Sequence, residues 1–305
     1  MSGGHAKLIT MTNDNRKAPT VWEDVNWTAP SILNPDRIDD AVAHVVTYFA
    51  DFPGYTGPGY TGAMFNELGG GGDRPEIADT FTVEDVFAIA TLSLNLDPLQ
   101  AFQLIGAVSA AEVDPKYTDK KGKTSRPKVT SVPIDNAEVG RLLAKLETKE
   151  LIEATNDDLK DTDKLWQAIR RHNLGPTRVS KLLARKRPDL CPVIDSYIRA
   201  QLDHGGNRKN FFKSLRTVLR DENLDLPTHL RDIQQKAMAG TTSANAAGQV
   251  NRTDLVPGLH AAERISRLGV LRIFDIVLWM EEDARRERTK KRGNLKNSVV
   301  EAAQR

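Results

Sequence analysis

One cysteine, Cys191, in 305 residues leaves no internal disulfide to staple the chain and no zinc or iron–sulfur site built on several thiols. A lone thiol fits a reducing compartment, and a cytoplasmic location is expected. Long apolar runs are missing too. Residues 1–30 contain no hydrophobic leader, and the strongest apolar stretch elsewhere, VFAIATLSLNL at 86–96, is too short and too polar to span a bilayer. Neither export nor membrane association is expected. Alternation of apolar and polar residues, the mark of a half-buried strand, is scarce, with KVTSVPI at 128–134 the one weak candidate. His44, His172, His204, His229 and His260 show no metal-ligand spacing. No metal and no cofactor are therefore expected.

What the chain does have is charge, unevenly placed. The formal net charge is only +2. Between Asn34 and Asp85, however, ten acidic residues stand against two basic ones, and between Lys164 and Pro188 eight basic residues meet no acid at all. Two further basic stretches run from Lys116 to Lys128 and from Arg285 to Lys296. Three basic segments suggest a polyanionic partner. An ordinary solvated surface explains the outer two equally well, whereas the central one has no acid nearby in sequence to balance it.

The organisation is helical. Asn34 as cap, Pro35 at the first helical position and Ile38, Ala41, Val42, Val45, Val46 and Phe49 on one face predict a helix. GYTGPGYTGAMFNELGGGGD must be a loop. Thr82 and Asp85 form a capping box ahead of VFAIATLSL, Pro98 opens another helix, and Val139, Leu142, Leu143 and Leu146 mark a fourth. The expected architecture is mainly α with little or no sheet. It comprises a flexible arm over 1–30, a single helical domain over 31–283 and a basic tail over 284–305.

Leu165, Ala168, Ile169 and His172 stripe one helix and Val179, Leu182 and Leu183 the next, with only NLGPT between them. Such a tight connection predicts a helical hairpin over 164–186. Asn173 and Gly175 tolerate positive φ, Pro176 suits the first helical position, and the amides opening the second helix would face a phosphate. HNLGPTRVSKLL followed by PVIDSYIRA resembles the helix-hairpin-helix DNA glycosylase superfamily over about 164–200. There, an apolar-x-Gly-apolar-Gly hairpin precedes a catalytic aspartate opening a later helix. Gly175 and Asp195 lie 20 residues apart, the family's spacing, and Ile198 and Arg199 fall where its apolar residue and arginine follow the aspartate. The resemblance implies duplex DNA as partner and Asp195 as catalytic residue, with Asn173, Gly175, Thr177, Arg178, Lys181, Arg185, Lys186 and Arg187 on the nucleic acid. Asn173 replaces the family's first glycine and Ser180 its alanine. Thr177 stands where lyase-competent members carry lysine, so imine chemistry is not expected. The whole chain also resembles an uncharacterised bacterial protein family, through YTGAMF, SKLLARKRPDLCPVIDS and LGVLRIFDIVLWM.

A carboxylate beneath an anomeric carbon stabilises the positive charge that builds as an N-glycosidic bond breaks. Asp195 suits that task, and equally the humbler one of capping SYIRAQL. Tyr55, Tyr60 and Phe65 on the glycine-rich loop are candidates to stack on a displaced base, or simply to pack; Trp166 and Trp279 are expected in the core. The expected function is DNA binding through the hairpin, with monofunctional base excision by Asp195. The alternatives are a non-catalytic module that keeps the hairpin, and a basic surface for RNA or an acidic protein.

Overall fold

The structure is a computed structural model that describes residues 21–50, 60–69, 71–107, 117–118, 124–125, 134–146, 149–170, 174–204, 210–246 and 261–303. Eleven α-helices are found among them: α1 (Ile38–Phe49), α2 (Val83–Thr91), α3 (Pro98–Leu104), α4 (Asn136–Lys145), α5 (Asn156–Ile169), α6 (Pro176–Lys186), α7 (Ser196–Gln201), α8 (Phe211–Leu219), α9 (Leu226–Ala246), α10 (Ala261–Ser266) and α11 (Val270–Ala303). Sheet is confined to two antiparallel two-residue pairs, β1 (Val21–Trp22) with β2 (Trp27–Thr28) and β3 (Tyr117–Thr118) with β4 (Thr124–Ser125). The protein is mainly α, as its helical periodicity predicts. KVTSVPI lies almost wholly outside the described residues, as does most of the Lys116–Lys128 stretch.

Local chemistry sets the helix starts. Asp85 Oδ2 accepts the Thr82 amide at 2.8 Å in the capping box of α2, Asp97 caps α3 with Pro98 in its first turn, and Thr155 with Asp158 boxes α5. The predicted first helix differs slightly at its start. Pro35–Arg37 is a 3-10 turn and Asn34 makes no side-chain cap; α1 begins at Ile38 and buries Ala41, Val45, Tyr48 and Phe49.

Two helices have stretches buried on all sides. Every residue of α6 from Val179 to Lys186 is buried, and so is every residue of α11 from Leu271 to Leu278. A helix enclosed all round must carry apolar side chains or paired polar ones. Around these two, α1 packs on α9 and α11, α7 on α11, and α2 on α6.

Both expected domain ends move. Trp22 and Trp27 are buried, Trp27 packs its ring 4.9 Å from that of Phe211, and the Thr28 amide donates to the Leu202 carbonyl at 3.1 Å. Residues 21–30 thus belong to the packed body rather than to an arm. The basic tail is no tail either, because α11 runs on to Ala303, with Arg285 to Arg292 exposed along it. Pairs one turn apart, such as Arg286 with Glu282 at 2.7 Å and Lys290 with Glu287 at 3.2 Å, support this overhang.

Candidate functional site

The central basic run is not a surface. The Arg185 side chain is 2 % exposed, that of Lys186 0 % and that of Arg187 4 %. Their counter-charges come from the acidic segment far back in the sequence. Asp85, itself fully buried, takes Lys186 Nζ at 2.7 Å and Arg185 Nε at 3.3 Å, while Asp79 takes Arg187 Nη2 at 2.5 Å. Backbone carbonyls absorb the remaining donors: those of Phe65, Leu68 and Gly69 for Arg185, Ile77 for Lys186, and Leu143, Leu146 and Ala78 for Arg187. The expectation that these three residues meet phosphate is therefore overturned. Their donors are spent inside the protein, tying the acidic and basic segments together.

Beside that cluster lies a cleft of about 430 Å³, within the usual range of small-molecule sites. Tyr48 from α1, Tyr60 and Gly62 from the turn that follows, Leu92 and Leu94 beyond α2, Thr177 and Lys181 from α6, Val193, Asp195 to Ile198, and Arg272, Asp275 and Trp279 from α11 line it. Four aromatic rings form much of the wall. Tyr60 stacks on Tyr48 with centroids 5.5 Å apart, Tyr197 stacks on Trp279 at 5.2 Å, and Tyr60 meets Trp279 edge-on at 5.8 Å. A smaller hollow of about 210 Å³ beside Glu150, Asp189 and Arg231 has no aromatic lining.

Asp195 serves the cleft and the cap together. Its Oδ1 accepts the Tyr197 and Ile198 amides at 2.9 and 3.1 Å, so it caps α7; Oδ2 lies 3.9 Å from Lys181 Nζ. The loop bringing it there is clamped by Ser180, whose hydroxyl accepts the Ile194 amide at 3.1 Å and shares its proton between the Thr177 and Ile194 carbonyls. Alanine would leave Ile194 without that partner, so the serine has a structural reason. Cys191 on the same loop is buried and its thiol is pushed up to about 12 by burial, far from a nucleophile.

Lys181 is no surface lysine: its side chain is 6 % exposed, and Nζ donates to the Leu92 carbonyl at 2.9 Å. Burial pulls its amine down, and the Asp195 carboxylate opposes the shift. An amine therefore stands within the cleft although Thr177 offers none. Arg178 is half-buried and donates to the Asn95 carbonyl at 3.0 Å. Tyr60 lines the cleft, but Phe65 is core, with the guanidinium groups of Arg185 and Arg272 at 5.9 and 5.1 Å from its ring centre. Trp166 is core as expected; Trp279 is a cleft wall instead. Asn173 and Tyr55 lie outside the described residues.

Gly175 caps α6 in extended backbone, φ −71° and ψ 161°, so the positive φ that glycine tolerates is not used there, and a Cβ would meet nothing within 4 Å. Gly62 is the glycine the site depends on. A Cβ there would fall 2.0 Å from Tyr48 Oη, and the Gly62 carbonyl accepts from Arg272 Nη2 at 3.2 Å. Gly175→Ala should cost less than about 1 kcal/mol, the price of a poorer cap. Gly62→Ala should cost about 1–3 kcal/mol, because a packed tyrosine must move. Paired urea titrations check the order, and equal midpoints would contradict it.

Sequence reading missed Arg272, Asp275, Tyr48 and Tyr197. A signal for the first two was present. In LRIFDIVLWM two charged residues one turn apart interrupt a run that is otherwise apolar on all faces, and a charge in such a run must be paired or used. Among the described residues no group of three or more His, Cys, Asp or Glu side chains could hold a metal ion, and no helix is long and apolar enough to cross a membrane. No curated protein and no solved structure matches the chain, and no comparison shows the glycosylase resemblance expected over 164–200. The model of the family described as "Family of unknown function (DUF6308)" matches residues 41–113 and 129–247, and over more than half of its length this chain belongs to that family.

Proposed function

We propose that the protein is a DNA-binding hydrolase of N-glycosidic bonds, acting in the cytoplasm, that admits an altered base to the aromatic cleft. Asp195 then stabilises positive charge on the sugar and orients water. The observation that carries this reading is a cleft around Asp195, walled by aromatic rings and of about 430 Å³. In a site shielded from bulk water a carboxylate acts strongly on developing positive charge. With Arg185, Lys186 and Arg187 inside the protein, phosphate contact falls to groups at the surface. These include half-buried Arg178 in the first turn of α6 and the exposed face of α11, where Arg286 lies 3.9 Å over the Tyr197 ring at the cleft edge.

One observation favours the alternative, a non-catalytic nucleic-acid-binding module: Asp195 is fully explained as the cap of α7. Wild-type protein incubated with duplexes carrying different altered bases, followed by alkaline cleavage of abasic sites, separates the two. Release of at least one base is expected, with duplex affinity that falls steeply as salt rises because counterions are released. Salt-sensitive binding without release of any base leaves the module. Absence of both removes DNA from the reading.

A further inference from the structure

From Leu271 to Met280, α11 carries only two charged residues, Arg272 and Asp275, and both line the cleft. Arg272 is partly accounted for, its Nε being buried with no hydrogen-bond partner among the described residues. Its Nη2 donates to Tyr48 Oη at 3.0 Å and to the Gly62 carbonyl at 3.2 Å, and its guanidinium lies over the Phe65 and Tyr48 rings. Asp275 is 3 % exposed and only half accounted for. Oδ2 accepts the Val193 amide at 3.2 Å, while Oδ1 is buried and has no hydrogen-bond partner among the described residues. Native proteins seldom leave such an atom unmatched unless something else meets it.

We propose that Asp275 is the specificity-determining residue of the cleft: its unmatched oxygen donates a hydrogen bond to the acceptor edge, a ring nitrogen or carbonyl, of a planar nitrogen heterocycle held against the aromatic wall. The inference rests on the reading of the cleft as a base pocket and deepens it by naming the ligand's chemistry. Burial lifts the Asp275 carboxyl to about 8; Arg272 and the Val193 amide resist, and Asp195 adds to the rise. Burial thus favours the neutral acid near neutral pH. Because Oδ2 already accepts from Val193, the proton belongs on Oδ1, the oxygen without a partner. Above pH 8 that oxygen becomes a charged acceptor and repels the edge it had bound.

Other titratable groups face the same space: Lys181 from α6, Asp195 and Tyr197 at the start of α7, Arg272 on α11 itself, Tyr48 from α1, and Tyr60. Substitution at Asp275 separates its titration from theirs. Free adenine, cytosine, hypoxanthine and uracil are titrated calorimetrically into the full chain between pH 6.5 and 9.5, using wild type, Asp275→Asn and Asp275→Leu. At least one should bind wild type, with affinity flat below pH 7 and about tenfold weaker by pH 9. Asp275→Asn keeps a donor and an acceptor without the proton equilibrium, so its affinity should lack that fall. A ligand's own titration would act on both proteins alike. Asp275→Leu, once shown folded by circular dichroism, should bind at least tenfold more weakly than wild type at pH 7.

The proposal is overturned if no heterocycle binds at millimolar concentration, if wild type and Asp275→Asn share one pH dependence, or if the folded leucine variant binds as wild type does. Should Asp275→Leu fail to fold, the asparagine comparison decides alone. Binding with the expected pattern but without base release from any duplex keeps this inference and removes the hydrolase. Base release with the same pH profile in wild type and Asp275→Asn does the reverse.

Discussion

Asp85→Ala should destabilise the fold by about 3–5 kcal/mol, since removing one partner of a buried ion cluster leaves the others uncompensated. Three side chains, Asp85, Arg185 and Lys186, are buried within 3.3 Å of their counter-charges. Burial pushes the Asp85 carboxyl up and the Lys186 amine down; the contact between them opposes both. Asp85 also closes the capping box of α2, so its loss frees the Thr82 amide as well. Urea denaturation followed by circular dichroism reads the effect, and a loss below about 1 kcal/mol would show that the carbonyls around Arg185 and Lys186 suffice without the carboxylate. The same burial changes how DNA contact must be tested. Neutralising Arg185, Lys186 and Arg187 would weaken binding by damaging the fold, whereas Arg288, Lys290 and Lys291 on exposed α11 can be exchanged for glutamine with little effect on stability.

Asp195→Asn should leave the fold standing and, if the protein releases a base, slow that step by at least a hundredfold. Asparagine caps a helix about as well as aspartate does, so the amides of Tyr197 and Ile198 keep an acceptor. What disappears is the charge 3.9 Å from Lys181 at the cleft, and a preorganised group of this kind is worth roughly 3–4 kcal/mol in a transition state. Asp195→Ala supplies the capping control and should cost about 1 kcal/mol of stability. Single-turnover rates on whichever duplex wild type accepts give the comparison. An asparagine variant as fast as wild type reduces Asp195 to a cap. Omitting the alkali step reads the fate of the strand. Thr177 predicts an intact abasic product, and the Lys181 amine in the cleft makes a nicked one the outcome that would correct that expectation.

Several helix starts were legible because their causes lie within a turn or two of chain. Thr82 reaches Asp85, Pro98 follows its cap Asp97, and Asp195 reaches Tyr197 and Ile198, all by local contacts that residue type and spacing reveal. Tyr60 and Asp195 were singled out for their chemistry, and they do share one cleft. The burial of Arg185, Lys186 and Arg187 was not legible. A charged helix end looks the same whether water or a distant carboxylate receives it, and Asp85 lies 100 residues from Arg185.

By itself, then, the sequence determined a mainly helical chain, the starts of α2, α3, α6 and α7, and an aspartate at the cap of α7. Those follow from 3.6-residue periodicity and from hydrogen bonds between residues two to four apart, which fold with no knowledge of the rest. Only the tertiary structure decided which charges are spent inside and which side chains face open space. Enclosing α6 forces its cations to find Asp79 and Asp85, because a buried charge without a partner is too costly to keep. Enclosing α11 likewise brings Asp275 and Trp279 to Tyr60, Lys181 and Asp195, residues whose proximity depends on how helices pack and not on any spacing along the chain.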